Sequence, residues 1–64
     1  MNNQYDTGGQ NMVTVLLIED SAFQRKVISS ILKDLGYDVI TADNGHEGVE
    51  RILNDKPAVI LRAC

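Results

Sequence analysis

Val13-Thr14-Val15-Leu16-Leu17-Ile18-Glu19-Asp20-Ser21 is the stretch on which the reading of this chain turns. Its first six residues are all β-branched or leucine, the pattern of a strand buried on both faces inside a parallel sheet. The run then ends on two carboxylates and a serine. An apolar strand that delivers acids to a helix start builds a site for a metal ion or a phosphate group. Adjacent acids on an extended strand point to opposite faces, so both reach one cation only if the backbone turns at or after Glu19. Glu19 and Asp20 are therefore the candidate metal ligands. The plainer reading is that Asp20 complements the positive end of the following helix while Glu19 stays solvated.

Ser21 is placed to cap that helix, with Gln24 at the third helical position to complete a capping box. Phe23, Val27, Ile28, Ile31, Leu32 and Leu35 recur at helical spacing, which predicts an amphipathic helix with one buried face. Gly36 falls where a left-handed residue ends a helix, and residues 37–41 give a second strand. Asn44 and Glu47 repeat the cap-plus-acid arrangement ahead of Val49, Ile52 and Leu53. Gly45 and Gly48 weaken this second helix and predict a frayed or shifted first turn. Asn54-Asp55-Lys56-Pro57 stops it, and residues 58–61 read as another buried strand. The order is β-α-β-α-β. Right-handed crossovers turn that order into a three-stranded parallel sheet, order 2-1-3, with the helices on opposite faces and the acidic pair at the reversal point where open sheets bind ligands.

Outward from these elements the chain divides into a flexible polar tail, residues 1–12, and one folding unit, residues 13–64. The tail carries Gly8-Gly9 ahead of a strand, the wrong order for a phosphate-cradling loop. About fifty folding residues make a marginal core, and with one cysteine, Cys64, no internal disulfide reinforces it. No stretch has the length of a membrane span, no signal peptide opens the chain, and the expected location is cytoplasmic. Net charge is −3 and Arg25-Lys26 is the one basic pair, so no nucleic-acid footprint is present. Arg25 and Lys26 sit on the wet side of the first helix, as solvated charges or as a partner-binding surface. His46 stands without a second histidine or cysteine cluster and reads as a solvated position. No nucleophile-elbow or Walker sequence occurs, and the chain is not expected to be an enzyme.

Val15-Leu16-Leu17-Ile18-Glu19-Asp20-Ser21, Arg25, Leu35-Gly36-Tyr37, Val39, Ala42, Asn44-Gly45, Glu47 and Lys56-Pro57, taken in order and spacing, resemble the receiver domain of two-component response regulators. The resemblance covers nearly all of residues 13–61. It implies a truncated flavodoxin-like (receiver) fold and a role in phosphorelay signal transduction. It also implies that Glu19 and Asp20 help to hold Mg²⁺, and that the first helix meets a histidine kinase or a phosphotransfer protein. The family's phospho-acceptor aspartate corresponds to position 63, and its usual acidic neighbour to position 58; this sequence has Ala63 and Ala58. The family's later hydroxyl and lysine would fall beyond Cys64. The expectation is a receiver-domain fragment that does not itself accept phosphate, with Mg²⁺ weak or vestigial. Two alternatives accompany it, a non-catalytic pseudo-receiver acting by protein contact and an inert truncation product. An open third-strand edge further implies self-association.

Overall fold

The computed structural model describes residues 12–63, in which β1 (Thr14–Ile18), α1 (Ala22–Asp34), β2 (Asp38–Ala42), α2 (Gly45–Asp55) and β3 (Val59–Arg62) follow one another. The predicted tail, apart from the exposed Met12, and the thiol of Cys64 lie outside the described residues. The three strands form one parallel sheet in the order β2-β1-β3, as expected. This β-α-β-α-β arrangement is the opening half of a flavodoxin-like fold. Register is regular on both sides of β1: Leu16 lies between Ile40 and Ile60, and Ile18 between Ala42 and Arg62.

Local chemistry sets the helix boundaries. Ser21 is extended, and its hydroxyl accepts the Gln24 N–H at 3.2 Å, starting α1. At the other end the Tyr37 N–H donates to the Leu32 carbonyl and the Gly36 N–H to that of Lys33, while Gly36 takes φ 100°. These bonds form a Schellman motif, and only a residue without a Cβ enters that conformation at little cost. Asn44 caps α2 by accepting the Glu47 N–H at 2.8 Å. The helix runs on to Asp55, and Lys56 ends it in a left-handed conformation (φ 48°) just before Pro57.

The core is centred on β1. Leu16 and Leu17 are fully buried (0% exposed), flanked by buried Val15 and Ile18. Leu16, Ile18 and Ala42 cluster on one face with Ile40 and with Ile52 of α2. Val15 and Leu17 point to the other face by strand alternation. There α1 packs, mainly over β2 and the adjoining part of β1.

Three expectations are corrected. The first turn of α2 is neither frayed nor shifted: Gly45 begins the helix, and Gly48 is buried where it passes close to Ile18. The apolar stripe of α1 is split rather than buried. Ile28 and Leu32 are partly covered, whereas Phe23 (73% exposed), Val27, Ile31 and Leu35 face outward, because the sheet beneath reaches only one flank of the stripe. β3 is exposed along all four residues, since neither helix lies over it, only the Arg62 side chain reaching the first turn of α2, and β1 is its one strand neighbour among the described residues.

Candidate functional site: the strand-end cleft

Parallel pairing brings the ends of all three strands to one edge of the sheet. Beyond β1 the ladder continues, with the Glu19 N–H donating to the Ala42 carbonyl and the Ala63 N–H to the Ile18 carbonyl, both at 3.0 Å. The turns that follow enclose a cleft of about 250 Å³ lined by Ile18, Glu19, Asp20, Asp43, Asn44, Arg62 and Ala63. The predicted acidic pair is therefore in the cleft, but its two members differ. Glu19 is 5% exposed, and its Oε2 accepts the Ser21 N–H at 2.8 Å. It acts as a brace across the turn. Asp20 is exposed on the cleft wall.

Arg25 and Lys26 are separated by the helix. Arg25 is half-buried, and its Nη1 donates to the Glu19 carbonyl at 2.9 Å, tying α1 to the turn that presents Asp20. Lys26 is exposed and lines a shallow, mostly apolar groove on the outer side of α1 with Phe23, Val27, Ser30 and Ile31.

Asp43, Asn44 and Arg62 are cleft residues that the motif alone does not single out. Asp43 follows β2 as Glu19 follows β1, so the register of the two strands was the signal for it. A capping network fixes this wall: the Asp43 N–H donates to Glu47 Oε1 at 2.8 Å, and Asn44 Nδ2 donates to Asp43 Oδ1 at 2.7 Å. The hydrogen bond from the Asp43 backbone, with a smaller part from the Asp43 side chain and the nearby arginines Arg51 and Arg25, holds the Glu47 carboxyl below its ordinary pKa.

Mg²⁺ asks for oxygen ligands in near-octahedral array, commonly one or two carboxylates with water and a phosphate. Here one Glu19 oxygen already serves a backbone donor, position 63 presents a methyl group, and a guanidinium shares the cleft. Among the described residues no three His, Cys, Asp or Glu side chains come together as a ligand group. This donor set does not fit a resident Mg²⁺.

No family model and no solved structure matches the chain. It is similar to protein-glutamate methylesterase/protein-glutamine glutaminase 1 of Oleidesulfovibrio alaskensis, with 49% identity over 51 residues, covering 77% of this chain and 14% of that protein. It is similar also to hybrid signal transduction histidine kinase F of Dictyostelium discoideum, at 44% over 56 residues, 88% of this chain and 5% of the kinase. Protein-glutamate methylesterase/protein-glutamine glutaminase 2 of Methanosarcina mazei is 44% identical over 64 residues, 95% of this chain and 17% of that protein. The chain thus spans less than a fifth of each of these relatives. Among the described residues no helix is long and apolar enough to cross a membrane.

Proposed function

Because the chain belongs to the receiver domains of two-component response regulators, and its described residues form the N-terminal half of that fold, we propose that it is a phosphorelay signalling fragment that does not itself accept phosphate. The observation carrying this reading is Ala63. Its backbone amide is paired to the end of β1, and it lines the cleft beside Asp20, so the strand position facing the acidic turn carries a methyl group. A methyl group has no oxygen to attack a phosphoryl donor, and no enzymatic activity is assigned. Mg²⁺ binding is weak or vestigial in this reading, consistent with the donor set above.

The contact-module reading is favoured by one specific observation, the outer groove of α1. Phe23, Val27 and Ile31 present an open apolar face with Lys26 beside it, suited to an amphipathic helix of a histidine kinase or a phosphotransfer protein. Arg25 contributes by fixing α1 to the turn. The setting is cytoplasmic, with no membrane or nucleic-acid partner for this segment.

Acetyl phosphate and Mg²⁺ supplied to the intact chain test the main proposal by mass spectrometry. The expected result is no phosphoryl adduct on the wild type. None is expected on Ala63→Asp either, because Glu19 remains engaged with Ser21 and Arg62 remains in the cleft. An adduct on the wild type would overturn the proposal. An adduct on Ala63→Asp alone would show that the rest of the cleft is still competent.

A further inference from the structure

Arg62 is, among the described residues, the one cationic side chain lining the strand-end cleft, where it faces a wall that includes Asp20 and Asp43. Pairing of Arg62 with Ile18 puts its backbone beside the last residue of β1. Its Nη1 reaches to 3.2 Å from where a Cβ on Gly45 would sit, so the guanidinium lies against the first turn of α2. A cation at the positive end of a helix is unfavourable by itself. Among the described residues no carboxylate forms an ion pair with Arg62, so its permanent charge acts on Asp20 and Asp43 only through the cleft they share, lowering the negative potential there.

We propose that Arg62 sets the charge preference of this cleft, its guanidinium lowering the negative potential that Asp20 and Asp43 would otherwise offer a divalent cation. A divalent ion entering beside Asp20 meets like charge. This goes beyond the function proposed above, since it holds whether or not a partner docks on α1 and whether or not residue 63 takes phosphate.

Mn²⁺ alone, titrated into the intact chain and followed by electron paramagnetic resonance, supplies the test, with Arg62→Gln, Arg62→Met and Arg62→Lys as variants. Arg62 is exposed, and Met keeps its aliphatic stem, so at least one neutral variant retains the fold. The neutral variants should bind Mn²⁺ about tenfold more tightly than the wild type. Arg62→Lys should stay near the wild-type affinity, and Asp20→Asn added to a neutral variant should abolish the gain. Equal Mn²⁺ affinity in the wild type and the neutral variants would overturn the proposal. So would a gain that survives Asp20→Asn, because the ion would then be binding elsewhere.

Discussion

Glu47 is half-buried, and its carboxyl is held below the ordinary value chiefly by the Asp43 N–H it accepts. A depressed carboxyl contributes stability above its unfolded pKa and loses it as pH falls through the lower folded value. The capping network at the cleft wall should therefore loosen on acidification below about pH 4.5. Glu47→Gln keeps an acceptor for the Asp43 N–H while removing the titration. Its urea midpoint should fall less steeply with acidification than that of the wild type; identical slopes would remove Glu47 from the account. Both N-cap bonds were legible in the sequence, because the spacing of Ser21 to Gln24 and of Asn44 to Glu47 specifies them; the return bonds of the expected capping boxes do not form, since the Ser21 N–H goes to Glu19 and Glu47 takes the Asp43 N–H instead. The role of Arg25 was not. Periodicity shows that it lies off the apolar stripe, but not that the Glu19 carbonyl comes within its reach.

Gly48 decides how closely α2 approaches β1. A Cβ there would meet Ile18 Cδ1 at 2.7 Å and Cγ1 at 3.2 Å, inside the core cluster. Gly48→Ala gains about 1 kcal/mol of helix propensity. It also overpacks a buried contact, at a cost of about 1–3 kcal/mol. The expected net result is destabilisation by about 1 kcal/mol in urea unfolding. Ile18→Val removes the crowding atom, so Gly48→Ala should be neutral or stabilising in that background. If the cost persists when Ile18→Val is also present, contact with Ile18 is not its source. Read from sequence, the two glycines of α2 count as helix weakeners, since propensity is local and says nothing of a neighbouring strand. The same limit hid the state of β3. Val59, Ile60 and Leu61 look the same in sequence whether or not something covers them.

The order of elements, the parallel sheet and its 2-1-3 arrangement were legible throughout, because caps, strand periodicity and right-handed crossovers leave little choice. How much of the apolar surface is covered was not legible, since that depends on how far each helix reaches over the sheet. Among the described residues β3 has an open outer edge and is exposed along its length, while Phe23, Val49 and Leu53 on the helices and Leu35 at the C-cap of α1 are exposed as well. An uncovered apolar edge strand is a template for pairing between chains. Sedimentation should therefore show a mean mass that rises with protein concentration, and Ile60→Lys should suppress the rise. A constant monomer mass in the wild type would show that this surface does not associate.

The position of β1 has a consequence for synthesis on the ribosome. The strand made first is the one that needs both others, and its nearest partner, β2, begins with Asp38, 24 residues after Thr14. At roughly 5–20 residues per second, the most apolar segment of the chain stays unpaired for about one to five seconds. During that interval Val15-Leu16-Leu17-Ile18 is the segment a chaperone would meet.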